Sequence, residues 1–152
     1  MPDMDAGSVA LKHFSERFNC AESTLLGVTE ACGIESDCAP RIVSGFGGGV
    51  GGCGEVCGAL TGSIMALGLK FGRERGDDVE TKSALYKKVQ KFLDSFEKEF
   101  GSARCIDLTE CDMRTSEGRQ KAKELDLHGG LCRKFVEFAA NEAARLIAQS
   151  NK

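Results

Sequence analysis

Between residues 45 and 72 the chain carries few side chains large enough to hold two backbones apart. The run Gly45-Phe46-Gly47-Gly48-Gly49-Val50-Gly51-Gly52-Cys53-Gly54-Glu55-Val56-Cys57-Gly58-Ala59-Leu60-Thr61-Gly62 leads into an apolar stretch that closes at Gly72. Glycine opens backbone conformations closed to other residues and lets the chain approach a ligand or another helix closely. The second half reads as a helix from about Gly54 to Lys70, with Gly58, Gly62 and Ala66 at four-residue spacing. That spacing lays a groove almost free of side chains along one face. An interior glycine costs a helix about 1 kcal/mol, so the groove is expected to hold something in close contact: a helix of the same chain, a helix of a second copy in a homodimer, or a cofactor. Two thiols, Cys53 and Cys57, stand at the junction of loop and helix. A helix start presents free N–H groups and a positive dipole end, which favour a thiolate over a thiol.

The rest of the chain is dominated by helical periodicity. Only Pro2 and Pro40 interrupt it. A first helix is expected over about 5–17, with Val9, Phe14 and Phe18 turned inward. Asn19 followed by Glu22 reads as a capping box that opens a second helix to about Ala31, with Cys20 at its first position and Gly33 closing it. A short helix fits Pro40 to Ser44. Beyond the glycine loop and its helix, an amphipathic helix is expected from about Asp77 to Phe100. Its apolar face is Val79, Leu85, Tyr86, Val89, Phe92, Leu93, Phe96 and Phe100. Residues 102–114 read as a connector carrying Cys105 and Cys111, and 116–125 as a polar helix. His128-Gly129-Gly130 makes a turn before a last helix over about Leu131 to Ala148. The inward stripe of that helix is Phe135, Val136, Ala139, Ala140, Ala143, Leu146 and Ile147. The expected fold is all-α: one domain over 1–152, with its core at about 8–148, built as a bundle of five or six helices with a glycine-rich loop.

The length of 152 residues suits one domain able to bury a core without covalent staples. Net charge is −3, with acids and bases interspersed. No basic face for nucleic acid is expected, and with no Trp and Tyr86 as the one Tyr, aromatic platforms for single strands are missing too. The opening Met1-Pro2-Asp3-Met4-Asp5 is acidic and lacks the apolar segment of a secretory leader. The longest apolar stretch, about Val56 to Phe71, falls short of the roughly 20 residues a membrane span needs. The expectation is a cytoplasmic protein with no membrane insertion. Reducing compartments disfavour structural disulfides, so the eight cysteines point to metal ligation, thiol redox chemistry or inert packing.

Position separates these cysteines better than spacing does. Cys20, Cys57, Cys105 and Cys132 each fall near an expected helix end, where thiolates are stabilised, and thiolates ligate soft metals. Four such ends converging at one pole of a bundle could hold an iron–sulfur cluster or a zinc ion. The gaps Cys53-x3-Cys57, Cys32-x5-Cys38 and Cys105-x5-Cys111 are not zinc-ribbon pairs, and no Cys-x-x-Cys suggests a thioredoxin-like site. Neither a phosphate-binding P-loop nor a strand-led dinucleotide fingerprint is present in the glycine run.

Several blocks carry a resemblance. These are Phe18-Asn19-Cys20-Ala21-Glu22, Gly45-Phe46-Gly47-Gly48-Gly49, Cys57-Gly58-Ala59-Leu60-Thr61-Gly62, and Met65-Ala66-Leu67-Gly68-Leu69-Lys70-Phe71-Gly72, with Cys105 and Cys132 downstream. Together they resemble the redox-active protein family whose short name, C_GCAxxG_C_C, stands for one Cys, a Cys-Gly-Ala-x-x-Gly motif and two further Cys. The resemblance runs from about residue 8 to 145. It implies a small redox protein with Cys20, Cys57, Cys105 and Cys132 as its functional set. A similar domain in split-Soret multihaem cytochromes is associated with an iron–sulfur centre. This chain has no Cys-x-x-Cys-His, so covalent haem is not expected.

The first functional expectation is therefore an electron-transfer protein that binds an iron–sulfur cluster through those four cysteines and serves a redox partner protein, with no substrate chemistry of its own. Gly47, Gly48, Gly49 and Gly58 would bring backbone N–H groups close to the cluster. A metal-free thiol oxidoreductase or redox sensor is the alternative, with a low-pKa Cys57 or Cys20 attacking and Cys53 resolving. A structural zinc module, or a packing module without ligand, is the third. Cys53 and His128 are candidate additional ligands. If Cys53 and Cys57 are both helical they share a face. Cys32 and Cys38 flank a turn and could pair on oxidation, Cys111 packs near the connector, and His13 belongs to the surface. Glu55 reads as a first-turn acid at a helix start.

Overall fold

A computed structural model describes residues 5–150 of the chain. In chain order it contains α1 (Ala6–Ser15), α2 (Cys20–Cys32), a 3-10 helix (Arg41–Phe46), α3 (Gly58–Phe71), α4 (Val79–Phe100), α5 (Cys105–Thr109), α6 (Ser116–Glu124) and α7 (Leu131–Gln149). The described residues are thus all-helical in their regular structure, with one isolated antiparallel bridge between Val56 and Arg104. The number of helical elements exceeds the expected five or six because the 3-10 helix and the one-turn α5 stand as separate units. None of the described helices is long and apolar enough to cross a membrane.

The centre of the bundle is α2, which packs on α1, α3 and α7. Its start is the expected capping box: the Glu22 N–H donates to Asn19 Oδ1 at 2.8 Å and the Asn19 N–H donates to Glu22 Oε1 at 2.9 Å. Gly33 closes it in the left-handed conformation. Asn19 also donates from Nδ2 to the Ser44 carbonyl, and the Ser44 hydroxyl donates to Glu22 Oε2, which fastens the 3-10 helix over the start of α2. The α7 stripe is buried in full: Phe135, Val136, Ala139, Ala140, Ala143, Leu146 and Ile147. Phe96 and Phe100 of α4 meet Phe135 and Phe138 of α7 in an aromatic cluster with ring centroids 4.9–6.0 Å apart.

The groove of α3 is filled by α2 of the same chain. A Cβ at Gly62 would land on the Ala21 carbonyl and the Thr24 hydroxyl, so the groove leaves no room for a second copy. The helix begins at Gly58 rather than Gly54, with Cys57 as its N-cap. The reason is the loop before it. Gly48 to Gly52 all have φ between 60° and 77°, a left-handed run in which Val50 is the one non-glycine. That run winds the chain back on itself through N–H bonds from Gly51 to Gly45, Gly54 to Gly48 and Glu55 to Gly49. Gly54 is itself left-handed at φ 75°, and the carbonyls of Gly54 and Glu55, which a helix starting there would use, accept instead from the Ile106 and Cys105 amides.

Two further expectations change. The apolar face of α4 is fully buried only at Phe92 and Phe96. Its first half overhangs the bundle, leaving Val79 62% and Tyr86 55% exposed, with Lys82 lying over the Tyr86 ring. The side chain of His13 is only 15% exposed. It lies between α1 and α2, with Nε2 2.9 Å from Glu30 Oε1, and meets the Phe18 ring edge-on.

Candidate thiol site

Cys20, Cys57, Cys105 and Cys132 come from four separate stretches of chain, and all four line one cavity of about 380 Å3. Each is delivered by a different local device. Cys20 is the first residue of α2, fixed by the capping box. Cys57 is the N-cap of α3, and its N–H donates to the Ala103 carbonyl at 2.8 Å. Cys105 opens α5 because two consecutive amides dock on the glycine loop: its own N–H donates to the Glu55 carbonyl at 2.7 Å, and that of Ile106 donates to Gly54 at 3.0 Å. These bonds turn part of the expected connector into a helix start. Cys132 is the second residue of α7, its N–H bonded to the Leu127 carbonyl.

The glycines set the distances. A Cβ at Gly49 would stand 2.7 Å from Cys105 Cβ and 2.6 Å from the Glu55 nitrogen, so only glycine lets the loop pass this close to Cys105. A Cβ at Gly58 would fall on Cys20 Sγ. Gly48 and Gly58 line the cavity directly, whereas Gly47 lies against the Asn19 side chain. The remaining walls are mostly apolar: Phe14, Leu108, Met113, Ala122, Leu127 and Phe135.

Burial sets the chemistry of the sulfurs. It is the largest influence on all four thiols and pushes every one of them up. Backbone groups of Gly48, Ala21 and Gly58 pull Cys20 back down in part. Cys57 stands well above its ordinary value, from burial first and then from its sulfur neighbours Cys20, Cys105 and Cys132. Cys132 is raised to about 12 by burial and by Cys20, Cys105 and Cys111. The expected thiolate-stabilising effect of the helix starts is real but outweighed, because removal from water penalises the charged form. As free groups these are protonated thiols at neutral pH, not attacking thiolates.

The other candidates scatter. Cys53 is exposed on the glycine loop, outside the cavity, its sulfur facing the Gly51 carbonyl. Because α3 starts at Gly58, Cys53 and Cys57 do not share a helix face. Cys32 and Cys38 are free. Glu55 is an exposed loop residue 3.6 Å from Arg104, not a first-turn acid. His128 does reach the cavity wall, its ring stacked on Phe14 at 3.9 Å between centroids. Cys111 is 1% exposed, in a small apolar cluster with Ala122 and Leu127 on which Cys132 packs, and it raises both Cys105 and Cys132. Sequence reasoning assigned it to packing. The five-residue gap from Cys105 was the signal that it lies near, but nothing in that gap gives its direction. Arg119 and Lys123 of α6 also line the cavity; on a polar helix their i, i+4 spacing carries no signal that separates them from ordinary surface.

Four thiols are a donor set whose chemistry suits a metal centre held by thiolates. Among the described residues no three of His, Cys, Asp or Glu are grouped so as to hold a single metal ion, while four thiols border a common cavity. No solved structure matches the chain significantly. An "Uncharacterized protein" of Archaeoglobus fulgidus is 32% identical over 124 residues, covering 76% of this chain and 82% of the relative. The family described as "Putative redox-active protein (C_GCAxxG_C_C)" matches residues 18–146, a span that holds all four cavity thiols, and the chain belongs to that family.

Proposed function

We propose that this is an electron-transfer protein whose cysteines Cys20, Cys57, Cys105 and Cys132 hold an iron–sulfur cluster. The observation that carries the reading is the convergence of four thiols, from four separate segments, on one buried and largely apolar cavity. Bound there, a cluster would supply one-electron redox chemistry at a potential set by burial and by hydrogen bonds to sulfur. The chain's own residues supply the rest. Backbone groups of Gly48, Ala21 and Gly58 favour the thiolate form of Cys20. Phe14, Leu127 and Phe135 keep water from the sulfurs, and the glycines at 49 and 58 allow the loop and α3 to close around them. Eight cysteines without a disulfide suit a reducing compartment, which supports a cytoplasmic site of action, with a redox partner protein as donor or acceptor.

The alternatives draw less support from the same geometry. A metal-free thiol oxidoreductase needs a depressed thiol value and a resolving neighbour, whereas Cys57 and Cys20 are raised and Cys53 lies outside the cavity. A zinc module needs a compact tetrahedral set, whereas the four thiols border a cavity of about 380 Å3, room for more than one ion.

The deciding experiment is the visible absorption spectrum, with iron and sulfide analysis, of protein purified without oxygen. A brown protein with about equal iron and sulfide, both lost in Cys57→Ser and retained in Cys53→Ser, is the expected result. A colourless protein lacking both would refute the proposal.

A further inference from the structure

The cavity has two ends of different character. Cys57 and Gly58 are buried at the deep end, with the half-buried Cys20 beside them, while Arg119, Lys123 and His128 are exposed residues at the mouth. The chain is net −3, yet the cavity lining contains no Asp or Glu, and its two permanently charged residues are both cations. Elsewhere four arginines are matched with carboxylates, Arg75 with Asp77, Arg104 with Glu55 and Asp107, Arg114 with Asp112 and Arg145 with Glu142, while Arg73 and Arg133 bond a backbone carbonyl and a hydroxyl. At the mouth, among the described residues, the two cations have no carboxylate partner and no acid in the lining beside them. Arg119 donates only to the Met113 carbonyl and the Ser116 hydroxyl. Among the described residues Lys123 has neither a hydrogen-bond nor an ion-pair partner. The same lining carries Leu108, Met113, Leu127 and the Phe14–His128 stack. An apolar hollow with a few convergent polar groups is the usual form of a small-molecule site.

We infer that the outer end of the cavity binds a small organic anion, its apolar body against Phe14, Leu108, Met113 and Leu127 and its negative group between Arg119 and Lys123. The site requires only the lining, so it stands whether or not the thiols carry a cluster. It gives the protein selectivity for anionic over neutral compounds that approach the sulfurs, since unmatched cations at the mouth of a low-dielectric cleft focus the field inward.

The test uses two naphthalene dyes of nearly the same shape: 1-anilinonaphthalene-8-sulfonate, an anion, and N-phenyl-1-naphthylamine, which is neutral. Binding is followed by fluorescence on full-length protein, both as purified without oxygen and after metal removal, and the site is located by amide chemical shifts. The expected result is tighter binding of the sulfonate, with shifts confined to the neighbourhood of Phe14 and residues 108–128. In the double variant Arg119→Gln, Lys123→Gln, both exposed positions, sulfonate affinity should fall about tenfold, the sum of two exposed charge contacts. The neutral dye should change less than twofold. Equal affinity for both dyes, no binding, shifts centred on the exposed face of α4, or a double variant indistinguishable from wild type would each overturn the inference. Absence of iron and sulfide from the protein purified without oxygen, with dye binding intact, would count against the cluster and leave the anion site standing.

Discussion

Replacing Gly58 by Ala tests whether the glycine at the head of α3 is there for space. The added Cβ would fall on Cys20 Sγ and lie 3.0 Å from the Phe46 carbonyl oxygen and 3.1 Å from the Ala21 nitrogen. Two of these neighbours are backbone, and the third is a sulfur beside backbone groups of Gly48, Ala21 and Gly58, so none can yield freely. Overpacking of this kind costs about 1–3 kcal/mol. The intrinsic gain of Ala over Gly in a helix, about 1 kcal/mol at most, offsets part of it and leaves a net loss of about 1–2 kcal/mol. For a chain of this size that lowers Tm by about 2–8 °C. Gly68→Ala supplies the internal control: it lies in the same helix, and nothing stands within 4 Å of its new Cβ. It should stabilise by about 0.4–1 kcal/mol. Urea unfolding of the reduced, metal-free proteins, followed by circular dichroism, measures both. If Gly58→Ala proved as stable as wild type, or Gly68→Ala lost as much, the close approach of α2 and α3 at Cys20 would not be what the glycine serves.

Asn19→Ala removes one half of the capping box and the bond to Ser44. It should cost about 1–2 kcal/mol, read as a lower urea midpoint at unchanged slope. Val50→Gly should stabilise by about 1 kcal/mol: a β-branched residue at φ 65° is strained, and this side chain is 40% exposed, so little burial is lost. Thermal unfolding decides, and a destabilised variant would contradict the strain. In the metal-free protein at pH 8, iodoacetamide with mass mapping should modify the exposed Cys38 and Cys53 well before Cys57. The same protein should hold its stability up to about pH 9 and lose it above. Burial raises Cys132 from 9.0 to about 12 in the folded state, so the unfolded chain releases that proton first as pH rises and the fold loses ground. Stability that rose between pH 9 and 11 would contradict the burial of these thiols.

Helix positions were legible in the sequence wherever a local rule decided them. Asn19 and Glu22 are three residues apart, and the capping box follows; Gly33 and Gly101 stop α2 and α4 in the left-handed conformation. The α7 stripe follows from period alone. The α3 start is not legible because it depends on where the carbonyls of residues 54 and 55 go, and they accept from the amides of Ile106 and Cys105, some fifty residues on. The half-exposed face of α4 shows the limit of periodicity: an apolar stripe says which way a helix turns, not whether a neighbour extends far enough to cover it. At the site, the likeness to the family supplied the four cysteines, while their meeting in one cavity rests on contacts between distant segments. Arg119 and Lys123 come to the cavity, and Cys111 to the cluster beside Cys132, through the path of residues 106–127, which no short motif encodes.

The thiols show two familiar rules in opposition. Cys20, Cys57, Cys105 and Cys132 each sit at or next to a helix start, a position whose dipole favours a negative charge by about 0.3–1 kcal/mol at an exposed end. The same four are withdrawn from water, and burial is the largest influence on every one. Burial prevails, and neighbouring sulfurs raise Cys57, Cys105 and Cys132 further, because a second thiolate in the same hollow would repel the first. Protonated thiols pack as small apolar groups, so the chain can close its core around them without a bound group. To become thiolates together they need positive charge placed among them, and loading with a metal must then release protons. The helix starts therefore act as fixed N–H donors that become effective once such a charge is present, rather than as activators of a free nucleophile.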